Sequence, residues 1–130
     1  MKYYIVIPSY NEEALIGLTL QSLISQTVLP SKIVVVNDNS TDRTAEVVLE
    51  FAKNNPYISL VNKSSENIHL PGSKVIQAFE KGFETLDDNY DLIVKIDADL
   101  IFPTNYFETI IKHFQSDKRI GMVGGFCYIE

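Results

Sequence analysis

Several things are scarce in this chain of 130 residues. It has one cysteine, Cys127, so no intrachain disulfide can close and no cysteine-based zinc site can assemble. A reducing, cytoplasmic setting is the expectation. Basic residues are outnumbered, 11 Lys and Arg against 17 Asp and Glu, giving a formal net charge of −6. This argues against a nucleic-acid partner, because a phosphate backbone needs clustered Lys and Arg. No apolar run approaches the roughly 20 residues of a membrane span. The opening MKYYIVIPSYNEE lacks the form of a secretory leader, since its apolar stretch is short and runs into acids. Internal repeats and low-complexity segments are also missing. What is present is 45% hydrophobic residues, enough for a globular core, at a length typical of one domain. An anionic ligand would need local help from a metal, backbone N–H groups or a few lysines.

The apolar pattern alternates between two periods. YYIVIP is β-branched and aromatic and reads as a first strand. Asn11 then reads as an N-cap, with Glu12 and Glu13 at the positive end of a helix. Leu15, Ile16, Leu20, Leu23 and Ile24 carry that helix to about Gln26. KIVVVND is almost continuously apolar, as a strand buried on both faces would be. Ala45, Val48, Leu49 and Ala52 recur at helical spacing, and YISLVN is a third strand. Val75, Ile76, Phe79, Phe83 and Leu86 predict one face of a third helix. LIVKI is a fourth strand, followed by a helix with Phe107, Ile110, Ile111 and Phe114 inward. IGMVGGFCYIE returns to strand material and runs to Glu130. Residues 1–130 are therefore expected to be the N-terminal portion of a longer protein. Apolar surface around GGFCYI would then favour a homodimer.

Alternating strands and helices imply an α/β fold, with a mainly parallel sheet and helices on both faces. In such sheets ligands bind beyond the carboxyl ends of the strands, where the strand order reverses. The loops to inspect read PSYNEE, NDNSTD and DADL, and all three are polar and acidic. On an extended chain residues i and i+2 project to the same side, so Asp97 and Asp99 can face one ligand with Ala98 turned away. Two such carboxylates suit Mg²⁺ or Mn²⁺, whose remaining positions go to phosphate and water. They equally suit an ordinary strand-end turn, and both readings stay open on this pattern alone. Tyr10 can stack on a nucleobase, and Glu12 can hydrogen-bond a base or ribose; Asn11 and Glu13 read as capping residues. Asp38 can accept the imide N–H of uracil. Asn39 tolerates the left-handed backbone a sharp turn needs. Ser40, Thr41 and Asp42 read as caps for the next helix. Gly72 allows close backbone approach, and Lys74, just inside a helix N-terminus, is placed to meet phosphate. His69 and His113 read as surface residues and Cys127 as core.

VIPSYNEE, VVVNDNSTDRT and KIDADL, in this order and spacing, resemble the family 2 glycosyltransferases from about Tyr3 to the end of the chain. The resemblance implies a Rossmann-like GT-A sandwich, with this chain as its nucleotide-binding, donor half. An acceptor half would lie C-terminal to residue 130. It implies a donor-nucleotide pocket lined by Pro8, Tyr10 and Glu12, with Asp38 on uracil and Asp97 on the ribose side. It makes Asp99 the ligand of a divalent metal, Mg²⁺ or Mn²⁺, and puts Gly72 and Lys74 near the diphosphate. The donor would be a nucleotide-diphosphate sugar, with UDP as its nucleotide, and the acceptor a glycan, lipid or other molecule. Cell-envelope polysaccharide synthesis is the implied setting, at the cytoplasmic membrane face if the remainder of the protein is membrane-associated. Transfer would proceed with inversion, using an acidic base in the acceptor half. Where many members have Asp-Asp-Gly, this chain has Asn37-Asp38-Asn39, which keeps the central carboxylate.

Two other classes compete. A nucleotide-sugar-binding or regulatory module without transfer activity would keep the same site but lack the base. A receiver-like phosphoacceptor domain needs an acidic pair directly after strand one and a lysine after the last strand. PSYNEE and FCYIE do not supply them.

Overall fold

The computed structural model of the chain describes residues 1–63 and 73–116. Strands β1 (Tyr3–Ser9), β2 (Lys32–Asp38), β3 (Ile58–Lys63) and β4 (Leu92–Lys95) alternate with helices α1 (Ile16–Ile24), α2 (Thr44–Asn54), α3 (Ser73–Glu84) and α4 (Tyr106–Ser116). Among the described residues the strands form one sheet in the order β3-β2-β1-β4, with every pairing parallel. The chain moves outward from β1 to β3, then returns to β1's other side with β4. The order therefore reverses between β1 and β4, and a crevice opens at such a point. No described helix is long and apolar enough to cross a membrane.

Alternation along β1 and β2 divides the core between two faces. Tyr3, Ile5, Ile7, Ile33 and Val35 pack with Ile16, Leu20 and Leu23 of α1, Val48 of α2, and Phe107 and Ile111 of α4. Val6, Val34 and Val36 face the other way and meet Ala78 of α3. Both strands read as continuous apolar runs because both faces are covered. Each buried branched side chain contributes about 1.5–3 kcal/mol relative to exposure. Tyr3 also stacks on Phe107, with ring centroids 4.9 Å apart. At the sheet edge opposite the crevice, Asp87 accepts hydrogen bonds from Lys32, Tyr4 and the Asn89 N–H, which hold its carboxyl well below the usual range.

Two elements depart from the pattern read in the sequence. The first helix starts at Ile16 rather than beside Asn11, and ends at Ile24. Asn11 cannot be its N-cap, because its φ of 51° lies in the left-handed region and an N-cap residue is extended. Gln26, past the helix end, instead donates to the Pro103 carbonyl and accepts from the Phe107 N–H, fastening α4's entry. Phe79 on α3 and Leu86 just past its end pack inward, but Ile76 is 58% exposed and Phe83 40%. The line closest to the sheet runs through Ala78 and Gly82. A Cβ added to Gly82 would lie 2.7 Å from Val36 Cγ2 and 2.8 Å from Val6 Cγ1. Small residues, not the largest ones, set how near this helix comes. His69, Gly72, Cys127 and the expected last strand lie outside the described residues.

Candidate functional site

Three strand exits meet at the carboxyl edge of the sheet. In the ladder Ser9 lies opposite Asn37, so Tyr10 and Asp38 leave the sheet side by side. On β1's other flank the last ladder pair is Val6 with Lys95, and the Ile96 N–H still donates to the Val6 carbonyl at 3.2 Å. Asp97 follows directly.

At the β1 exit, Pro8 sits within the strand opposite Val36. Ser9 is buried, and its hydroxyl donates to the Val36 carbonyl at 3.2 Å. Tyr10 is 58% exposed. Asn11 then turns left-handed, and Glu12 and Glu13 follow against the β2 loop. The Asn11 N–H donates to Ser40 Oγ at 3.0 Å, and the Thr41 N–H donates to Asn11 Oδ1 at 2.8 Å. The Glu12 N–H donates to Thr44 Oγ1 at 2.9 Å and the Glu13 N–H to Asp42 Oδ2 at 3.1 Å. Asp42 also accepts from the Thr44 N–H at 2.9 Å, although the N-cap of α2 is Arg43, which makes no side-chain cap bond. Burial raises the Asp42 carboxyl, but hydrogen bonds from Thr44 and Glu13 outweigh that and hold it below its ordinary value.

At the β2 exit Asp38 is buried, with Lys63 Nζ 3.8 Å from its Oδ1. The parallel register pairs these two residues directly, one at the end of β2 and one at the end of β3. Asn37 donates to Asn62 Oδ1 at 3.0 Å and accepts from the Ser40 N–H at 3.3 Å. Asn39 has φ 61°, the left-handed turn expected of it.

The β4 exit keeps the alternation read from DAD. The Asp97 side chain is 54% exposed and Asp99 is exposed, whereas Ala98 is only 4% exposed. Lys95 Nζ lies 3.7 Å from Asp97 Oδ1. Thr19, fully buried on α1, donates to the Ala98 carbonyl at 2.9 Å and anchors the turn from behind.

Glu12 links the exits electrostatically. Its carboxyl is raised first by burial and then by Asp99, Asp42 and Asp97, in that order. Acids from all three loops therefore act on one place, and a cation there would be favoured. Among the described residues, no group of three His, Cys, Asp or Glu is close enough to hold a metal alone. One or two carboxylates with open positions is the donor set Mg²⁺ and Mn²⁺ accept when phosphate completes the shell. Asp99, with Asp97 beside it, fits that description.

The structure thus brings together Pro8, Tyr10, Glu12, Asp38, Asp97 and Asp99. Lys74 falls in the first turn of α3, but its side chain, like Gly72, lies outside the described residues. Sequence reasoning passed over Lys63, Thr19 and the latch made by Asn11. Only Lys63 carried a local signal, as a lysine ending a strand of a chain short in basic residues.

Comparison with known proteins agrees with this architecture. The chain is 31% identical over 126 residues to YdaM of Bacillus subtilis, a probable glycosyltransferase, covering 95% of this chain and 29% of that protein. The structure of S. aureus TarS in complex with UDP superposes with a TM-score of 0.67 at 23% identity, covering 89% of this chain and 32% of that one. The mannosyltransferase of Pyrobaculum calidifontis, in complex with GDP-Man and Mn²⁺, gives 0.70 at 23% identity, covering 92% and 34%. At such identities the likeness establishes the fold, which is the Rossmann-like GT-A sandwich. This chain spans about a third or less of each of these proteins. A model of the family described as Glycosyl transferase family 2 matches residues 4–130, and the chain belongs to that family.

Proposed function

We propose that this chain is the donor-binding part of an inverting, metal-assisted glycosyltransferase that takes a nucleotide-diphosphate sugar, with UDP as its nucleotide. The observation that carries this is the meeting of acids from three strand-end loops at the carboxyl edge of the sheet: Glu12 after β1 feels Asp42 after β2 and Asp97 and Asp99 after β4. TarS, a neighbour in fold, binds UDP, and the Pyrobaculum enzyme is complexed with GDP-Man and Mn²⁺.

The roles proposed are those that the family resemblance implies. Exposed Tyr10 stacks on the base, and buried Asp38 accepts the imide N–H of uracil. Pro8 and Glu12 line the nucleoside side, and Asp97 takes a ribose hydroxyl. Gly72 and Lys74 serve the diphosphate. Asp99 would hold the divalent cation. A bound Mg²⁺ or Mn²⁺ offsets the negative charge that grows on the departing diphosphate. The acceptor oxygen bonds to the anomeric carbon as the bond from that carbon to the diphosphate oxygen breaks, so the centre inverts. The acceptor's proton passes to a carboxylate base supplied from beyond this chain.

Calorimetry of UDP with and without Mn²⁺, on the wild-type chain and on Asp99→Ala, tests this. Mn²⁺ is expected to tighten UDP binding at least tenfold, or about 1.4 kcal/mol, in the wild type and not in the variant. A wild-type chain whose UDP affinity ignores Mn²⁺ refutes the assignment.

A further inference from the structure

Asn11 is the one residue between Tyr10 and Glu12, and its backbone N–H and side-chain carbonyl are both engaged by the β2 loop. Its φ of 51° places a non-glycine residue where L-residues pay a steric penalty. Such outliers persist where surrounding contacts over-determine them, and they cluster at functional sites. Here the contacts are visible. Asn11 N–H donates to Ser40 Oγ at 3.0 Å, and Asn11 Oδ1 accepts from the Thr41 N–H at 2.8 Å. The bonds from the Glu12 N–H to Thr44 and from the Glu13 N–H to Asp42 continue the same seam. With a weaker bond from Thr41 Oγ1 to Asn11 Oδ1 at 3.4 Å, five bonds join the β1 exit to the β2 loop and the start of α2, about thirty residues further along the chain.

We infer that Asn11 is a positioning residue for nucleoside recognition, resting on the donor-site reading above. Its left-handed turn sends Tyr10 and Glu12 out of the chain at a fixed angle. Its side-chain carbonyl ties that turn to the loop leaving Asp38. The base platform on β1 and the imide acceptor on β2 are thereby held in one register before the ligand arrives, which removes an ordering cost from binding. The β4 carboxylates are fastened separately, by Thr19 on the Ala98 carbonyl. Loss of the latch should therefore weaken the nucleoside end of the site and spare the metal–diphosphate end.

The test compares UDP with Mn²⁺–pyrophosphate by calorimetry on wild type, Asn11→Gly and Ser40→Ala. Glycine keeps the left-handed backbone and deletes only the side-chain acceptor. Ser40→Ala leaves Asn11 intact and removes the other half of the latch. For Asn11→Gly, UDP affinity is expected to fall about tenfold while Mn²⁺–pyrophosphate stays within about twofold, in keeping with the loss of one well-placed hydrogen bond and added loop freedom. Ser40→Ala should show the same selectivity with a smaller loss. The inference is overturned if both variants bind UDP as the wild type does, or if both ligands weaken alike. A wild-type chain that binds no UDP removes the donor-site reading itself, and is seen before any variant is made.

Discussion

Glu12, half-buried in the loop after β1, carries a carboxyl raised first by its own burial and then by Asp99, Asp42 and Asp97. A carboxyl whose folded value exceeds its unfolded one favours folding below the usual glutamate range, and that contribution is lost as pH rises through the folded value. At neutral pH the ionised Glu12 therefore works against the ligand-free fold. Glu12→Gln should melt higher than wild type at pH 7, by about a degree or two for so partly exposed a group. The gap should close as pH falls to about 4 and below, where the wild-type carboxyl is neutral too. Thermal melts at the two pH values decide it, and a variant that melts lower at pH 7 counts against the account. The same scale shows what the sequence could reveal. The outward Asp97, inward Ala98 and outward Asp99 were legible because alternation is local. So was the left-handed Asn39. The true part played by Asn11 was not, since its partners Ser40 and Thr41 stand about thirty positions away and an Asn before two Glu looks like an ordinary cap.

Element boundaries and faces depend on how near neighbours come, which periodicity does not encode. The order of strands and helices was readable throughout the described residues, and β2 matches the run KIVVVND residue for residue. The face of α3 was only half readable. Its large residues suggested the buried stripe, yet Ala78 and Gly82 make the closest approach and leave Ile76 and Phe83 outward. Gly82→Ala should separate these views. Replacing a helical glycine normally gains up to about 1 kcal/mol of helix propensity. Here the new methyl would meet Val36 and Val6 at under 3 Å, both rigid, buried valines in strands. Overpacking of that kind costs about 1–3 kcal/mol, so net destabilisation is expected. The urea midpoint should fall, and a double-mutant cycle with Val36→Ala should show favourable coupling as space is returned. A Gly82→Ala chain as stable as wild type would mean that α3 shifts without resistance.

For the whole molecule, charge sets the problem that the site has to solve. The chain carries a net −6, and its three strand-end loops add acids where a multiply anionic nucleotide is proposed to enter. The long-range field should therefore oppose the approach of UDP alone, and salt should relieve that opposition, since the screening length shrinks to about 8 Å at 0.15 M. Metal-free UDP is expected to associate several-fold faster at 0.3 M salt than at 0.01 M, the reverse of the usual steering of a ligand into an oppositely charged site. With Mn²⁺ present, the incoming complex is closer to neutral and the salt dependence should flatten. Stopped-flow measurement is open through tyrosine fluorescence, because the chain has seven tyrosines and no tryptophan, and Tyr10 is exposed at the site. Metal-free association that slows with salt would show that nearby lysines, such as Lys95 beside Asp97 and Lys63 beside Asp38, outweigh the acids at the entrance. In that event the cation would serve the chemistry of departure rather than the capture of the donor.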